Sequence, residues 1–376
     1  MVAMYCHSLC DAEVFIAGGG PAGLAAAIAA RQAGFRVTVA DVAHPPIDKA
    51  CGEGIMPDGL RALSRLGVHL PADQTFPFRG IRFSDSDSAV EASFPQGNGL
   101  GIRRTSLHQI LVNRAKELGV AMHWGTRITG ITADGVSVNG RNVRCQWLVG
   151  ADGQNSRIRH WAGLETPQPP RQRFGFRCHY RMAPWSEFVE VCWTDRGQLY
   201  LTPVHREELC LALVTHEPHI RLEHALASFP EIDSRLHGAE RITREQGSLS
   251  QTHSLAVVSK GHRVLVGEAS GTVDAITGHG LSLAFQQAHL LALALKNGDL
   301  TEYQKAHRKI ARLPHLMSRL MLLMDRSPRL RRRALRALSR DPSLFARLLE
   351  IHTGAIPPFG FGVQRTLALG WYIFAA

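Results

Sequence analysis

Long apolar runs are missing from this sequence, and so is any ordered spacing of its cysteines. No stretch reaches the roughly 20 apolar residues that a membrane-crossing helix needs. The N-terminal residues carry His7, Asp11 and two cysteines rather than a basic segment followed by an apolar one. A cleaved secretory signal is therefore not expected, and the cytoplasm is the expected compartment. The cysteines (Cys6, Cys10, Cys51, Cys145, Cys178, Cys192 and Cys210) are odd in number and scattered, which favours reduced, mostly buried thiols. Cys6 and Cys10 have no second ligand pair near them, so no metal site is expected. Acidic residues are scarce against basic ones, 32 to 43, for a net charge of +11. The whole excess lies between Lys305 and Arg347, where thirteen Lys/Arg meet only Asp325 and Asp341. The remainder is near neutral and aromatics do not interleave with the arginines, so no nucleic-acid partner is expected. With 376 residues, 45% of them apolar, the chain is long enough for two or three domains of a globular enzyme.

What is present begins at Val14-Phe15-Ile16-Ala17, an apolar run that reads as a strand buried on both faces. It enters Gly18-Gly19-Gly20-Pro21-Ala22-Gly23, which fits G-x-G-x-x-G, and an Ala-rich helix follows to about Ala33. Gly18 permits the tight turn, Gly20 lets backbone approach a pyrophosphate, and Gly23 lets helix and strand pack closely. Pro21 and Ala22 open the helix whose N-terminal N–H groups face the phosphates. A second strand, Phe35 to Ala40, ends at Asp41, where a carboxylate can bond ribose hydroxyls. A dinucleotide site is expected here.

Two later segments bear on which dinucleotide. One is a strand from Cys145 entering Gly150-Ala151-Asp152-Gly153. The other is Arg263-Val-Leu-Val-Gly267-Glu268, continuing through Asp274 to Gly278-His279-Gly280-Leu281 and a helix to about Lys296. In this order the three segments resemble the flavin-dependent aromatic hydroxylases of the p-hydroxybenzoate hydroxylase type, with the geranylgeranyl reductases and flavin halogenases. The resemblance spans roughly Glu13 to Leu295 and implies FAD. It implies that Asp152 and Gly153 lie near the pyrophosphate, that Glu268 bonds the ribityl chain, and that Gly278, His279, Gly280 and Leu281 face the flavin. It also implies that Arg104, opening a helix to about Leu118, contacts the phosphates. Two departures stand out: relatives carry Asp where this chain has Glu268, and often Glu where it has His279.

The segment from Arg173 to Thr215 reads as antiparallel strands with a turn at Asp195-Arg196-Gly197. In the resembling family such a sheet covers the flavin and lines the substrate pocket. The halogenase Trp-x-Trp-x-Ile-Pro is absent, and of the reductase Tyr-x-Trp-x-Phe-Pro only Pro203 matches. Cys51-Gly52-Glu53-Gly54-Ile-Met-Pro57 is similar to the reductase branch, which puts Cys51 and Gly52 beside the flavin. The whole pattern looks most like bacterial flavoproteins associated with type III polyketide synthases. The resemblance implies a lipophilic phenol or polyketide substrate, hydroxylated through a flavin C4a-hydroperoxide. His179, Tyr180 and Tyr200 are the candidate bases. With one fingerprint only, NADPH or NADH is expected as a transient reductant. The rivals are a double-bond reductase acting on prenyl or polyketide substrates and a non-catalytic flavin-binding protein.

An α/β architecture is therefore expected, with a discontinuous Rossmann-like FAD-binding domain (13–75, 99–165 and 255–300). An antiparallel-sheet substrate domain (76–98 and 166–254) and a basic helical C-terminal segment (301–376) complete it. The C-terminal segment reads either as a helical cap or as a surface for peripheral membrane contact. Oligomeric state is not legible.

Overall fold

The computed structural model describes residues 11–166 and 172–375. The reading of Cys6 and Cys10 lies outside the described residues. The cysteines Cys51, Cys145, Cys178, Cys192 and Cys210 are free, and all but Cys51 are buried.

Five parallel strands form the core of the eight-stranded first sheet, in the order Arg263–Leu265, Arg141–Gly150, Ala12–Ala17, Val37–Ala40 and Ala121–His123. Val14, Phe15 and Ile16 are fully buried, as expected of a central parallel strand covered on both faces: Val14 and Ile16 share a core with the helices, and Phe15 packs with Val136, Val138 and Ile158. The fingerprint helix, Pro21–Gln32, begins with proline at its first position and ends before Gly34 at φ +100°. Its alanines bring it close to the helix Gly280–Asn297 in one shared core.

The second sheet is mainly antiparallel. Its central strands are Gln172–Arg181, Glu208–Thr215, Gly197–His205 and Phe188–Thr194, and Gly80–Ser84 joins the last of these in parallel. Four longer helices follow: Leu300–Arg326, Pro328–Arg340, Pro342–His352 and Val363–Ala375. Ser327 and Asp341 cap the second and third of them, each followed by proline at the first helical position. None of the described helices is long and apolar enough to cross a membrane.

Two side chains on Leu300–Arg326 fasten it to the parallel sheet. The Tyr303 hydroxyl donates to the Leu265 carbonyl at 2.9 Å, and His307 Nε2 lies 2.9 Å from Ser270 Oγ. Ser270 spends its own proton on the Gly267 carbonyl, so His307 is the donor and is neutral. Burial, aided by His315 and Arg308, lowers its pKa to about 4. The unfolded chain then binds the extra proton, so this contribution is complete above pH 6.5 and is lost as pH falls toward 4. Between pH 7.5 and 5 it should remove about 2 kcal/mol of stability. Urea unfolding at both pH values should show a smaller acid loss in His307→Gln than in the natural chain; equal losses would refute the assignment.

Candidate functional site

Above the carboxyl ends of the parallel strands lies a cavity of about 800 Å³, which runs from the fingerprint turn to the terminal helices. At the fingerprint end the glycines differ in what surrounds them. A Cβ on Gly18, at φ +112°, would meet the Ala151 carbonyl oxygen at 2.4 Å, and one on Gly23 would meet the Gly18 oxygen at 1.9 Å. A Cβ on Gly20 would meet nothing within 4 Å. The first two glycines hold the turn against the sheet, while Gly20 keeps a space clear along the cavity, beside Pro21 and Ala22.

Asp41 turns back onto this loop, accepting from the Gly19 N–H at 2.6 Å and the Ala43 N–H at 2.8 Å. His108, from the helix Arg104–Glu117, braces it from behind, with Nε2 2.8 Å from the Gly19 carbonyl. Burial lowers the His108 pKa, so a neutral ring donates to that carbonyl. Arg104 lines the cavity, and its Nε is buried with no partner among the described residues. Arg104 forms no ion pair among the described residues, so its charge is available to an anion at this end.

Asp152 and Gly153 also line the cavity. The Asp152 carboxylate is committed to its own turn, accepting from Ser156 Oγ at 2.5 Å and from the Arg157 and Ile158 N–H groups. Glu268 reaches Lys49 Nζ at 2.5 Å, an ion pair that ties the 49–54 loop to the strand-end acid. In that loop Cys51 and Gly52 face the cavity, and Gly52 has nothing within 4 Å of its Cβ position. Gly278 and Gly280 are equally open, with Leu281 beside them.

Glu53 was not singled out by sequence reasoning, although it lies inside the quoted 51–57 motif. It is 2% exposed and adopts φ +58°, an uncommon conformation for a residue with a Cβ. One carboxylate oxygen accepts from the Arg104 N–H at 2.9 Å, and the other lies 2.6 Å from His179 Nε2. Arg177 flanks the pair and meets Asp48 at 2.5 Å. The buried Cys210 thiol beside it is pushed well up, first by burial and then by the Glu53 charge.

Three expectations are corrected. His179 is fully buried, bonded to Glu53 through Nε2 and 3.0 Å from Thr243 Oγ1 through Nδ1, so neither nitrogen is free for substrate. Tyr180, the next residue on the strand, points to the other face and packs with the cluster of Cys178, Leu209 and Ile232. His279 faces neither flavin space nor solvent: its Nε2 is 3.0 Å from the His352 carbonyl, and His352 Nε2 is 3.1 Å from the Thr277 carbonyl. Burial lowers both histidines, so the neutral pair fastens the Thr277–Gly280 turn to the third C-terminal helix. Tyr200 does line the cavity. Its hydroxyl donates to the Ile276 carbonyl at 3.2 Å, and burial raises its pKa.

The far end of the cavity is apolar. Phe83, Val189 and Val191 come from the second sheet, and Met321, Leu338 and Phe345 come from three of the C-terminal helices. Those helices are thus part of the pocket wall, which the basic composition of the segment concealed.

The residues fit FAD: an open glycine turn, a half-buried arginine with no ion pair among the described residues and a second open helix start line one cavity of suitable size. The sequence profile of a family described as FAD binding domain matches residues 11–298. Menaquinone reductase of Mycolicibacterium smegmatis is 26% identical over 322 residues, covering 78% of this chain and 79% of that protein. The 6-methylpretetramide 4-monooxygenase of Streptomyces rimosus is 34% identical over 175 residues, 40% of this chain and 30% of that one. Among solved structures, a flavoprotein/dehydrogenase from Cytophaga hutchinsonii superposes with a TM-score of 0.80 at 17% identity, covering 97% of this chain and all of the other.

Proposed function

Because the chain belongs to the FAD binding domain family of oxidoreductases, we propose that it is an NAD(P)H-dependent monooxygenase that inserts one oxygen atom into a lipophilic phenol or polyketide. The observation that carries this reading is the apolar far wall, built from Phe83, Val191, Met321, Leu338 and Phe345. It offers a substrate surface contact and excludes water, with no charge to pair an anionic group. FAD, when bound, supplies two-electron redox chemistry and oxygen activation.

The chain's own residues do the rest. Gly18 to Gly23 and Arg104 would hold the diphosphate, with Asp41 at the adenosine ribose, Glu268 at the ribityl chain and Cys51 and Gly52 beside the flavin ring. Gly278 and Gly280 leave the helix start Gly280–Asn297 free to face the pyrimidine edge, which stabilises negative charge there by roughly 1 kcal/mol. Glu53 positions the 51–54 loop through Arg104 and His179. Tyr200 has a raised pKa and its O–H is already donated to the Ile276 carbonyl, so it is not a base, and toward a substrate hydroxyl it acts only as an orienting acceptor. The single fingerprint leaves NADPH or NADH to a transient site.

A second reading, a double-bond reductase of prenyl or polyketide substrates, is favoured by the menaquinone reductase likeness over most of both chains. NADPH-driven oxygen uptake by FAD-loaded protein, with and without an alkylresorcinol, separates the two. The monooxygenase reading expects stimulated uptake and a product one oxygen heavier. A product gaining two hydrogens, formed without oxygen, overturns it in favour of the reductase.

A further inference from the structure

The terminal helix Val363–Ala375 is apolar on both sides. Its inner side sets Leu369 and Tyr372 against the cluster of Leu335, Leu338 and Phe345. Its outer side presents Val363, Leu367, Trp371 and Phe374, each 64–76% exposed. Their spacing puts all four on one stripe. A helix that buries one apolar face normally turns polar side chains to water on the other. Phe359, just before it, is 85% exposed. A contiguous surface of this kind marks a binding face.

The neighbouring charge identifies what covers it. The helix Pro328–Arg340 packs against the terminal helix and exposes Arg329, Arg332, Arg333, Arg336 and Arg340. Arg340 lies 4.9 Å above the Tyr372 ring, so the arginine row ends against the helix that carries the apolar stripe. Arg329 and Arg333 form no ion pair among the described residues. A second copy of the chain would bring its own arginines to this face, and like charges oppose that contact. An anionic bilayer answers both features, since tryptophan and phenylalanine enter the headgroup boundary while guanidinium groups meet phosphates.

The cavity adds a third observation. Leu320 lines it and is also 45% exposed, and Leu316 and Leu323 are exposed on the same helix. Met324, one turn beyond Leu320, joins Leu369 and Tyr372 in the cluster under the terminal helix. The apolar end of the cavity therefore reaches the surface beside the stripe.

We propose that the Pro328–Arg340 and Val363–Ala375 helices form a docking face for an anionic lipid bilayer, placed so that a lipophilic substrate enters the cavity from the membrane. The docking face stands on its own; the substrate route rests on the function proposed above. The test is flotation of the full-length, FAD-loaded protein with vesicles of phosphatidylcholine alone or enriched in phosphatidylglycerol. Binding to the anionic vesicles only, weakening with salt, is expected. The Trp371→Glu/Phe374→Glu variant should lose it while keeping its FAD. Arg329→Gln/Arg333→Gln should weaken it by about five-fold per arginine.

No flotation of the natural protein with anionic vesicles overturns the docking face. So does a Trp371→Glu/Phe374→Glu variant that floats as before but turns a dimer into a monomer, which would assign the stripe to a second copy. Vesicle binding without any gain in turnover of a vesicle-borne phenol overturns only the substrate route, leaving the docking face intact.

Discussion

Replacing Gly20 and replacing Gly23 by alanine should have opposite effects on the protein without FAD. Gly23→Ala forces a methyl to within 1.9 Å of the Gly18 carbonyl oxygen and 3.2 Å of the Ala151 side chain. The near atom is backbone, so the helix must lift off the strand or the turn must open. Overpacking of this kind costs about 3 kcal/mol. The same displacement moves the helix N-terminus away from the proposed diphosphate position, so FAD affinity should fall as well. Gly20 has φ −69°, which alanine adopts without strain, and its Cβ position faces open space. Gly20→Ala should leave the FAD-free protein as stable or slightly more stable, by up to about 1 kcal/mol through the unfolded chain. FAD binding should still fall, because the methyl occupies the space along the cavity. Thermal unfolding of the FAD-free proteins, followed by titration with FAD, reads both effects. A Gly20→Ala protein that binds FAD as well as the natural chain would remove the diphosphate from this turn.

That contrast also marks how far the sequence could be read. The turn was legible because strand, glycines, helix and Asp41 lie within one short stretch, where period and cap signals are local. The helix start at Gly280 was legible for the same reason. The Glu53–His179 pair was not, since its partners are 126 residues apart and meet only after the 51–54 loop folds onto the second sheet. His108 behind the fingerprint is 89 residues from the carbonyl it supports, and nothing local distinguishes it from a surface histidine. Strand periodicity alone does exclude two of the candidate bases from acting on one face. His179 and Tyr180 are adjacent on a strand, so only one of them can face the cavity side. The C-terminal helices were legible as basic and amphipathic. Their contribution of Met321, Leu338 and Phe345 to the pocket depends on packing against the sheet, which composition does not encode.

Arg173→Met should be among the most damaging single changes in the second sheet. Arg173, Asp274 and Asp325 have side chains only 2–3% exposed. The guanidinium donates to Asp274 at 2.8 Å and to the Gln198 side-chain oxygen, and lies 3.4 Å from Asp325. Gln198 in turn donates to Asp325, which also meets His216 at 2.8 Å. Removing the arginine leaves two carboxylates in the interior, with the half-exposed His216 ring as the remaining side-chain partner of Asp325 outside the amide of Gln198. Breaking a buried pair in this way costs about 3–5 kcal/mol. The loss would not stay local, because Asp274 accepts from the Ile276 N–H and anchors the turn that carries Gly278 and Gly280. Weaker FAD binding should therefore accompany the lower unfolding temperature. Adding Asp274→Asn and Asp325→Leu to Arg173→Met removes the stranded charges and should recover much of the stability, since an uncharged cluster of similar volume is often neutral or better. FAD affinity should recover less, because a side-chain amide at position 274 caps the turn more weakly than the carboxylate does. If Arg173→Met unfolds within about 1 kcal/mol of the natural chain, the charge cluster does not hold the turn, and the neutral His279–His352 pair must carry that task alone.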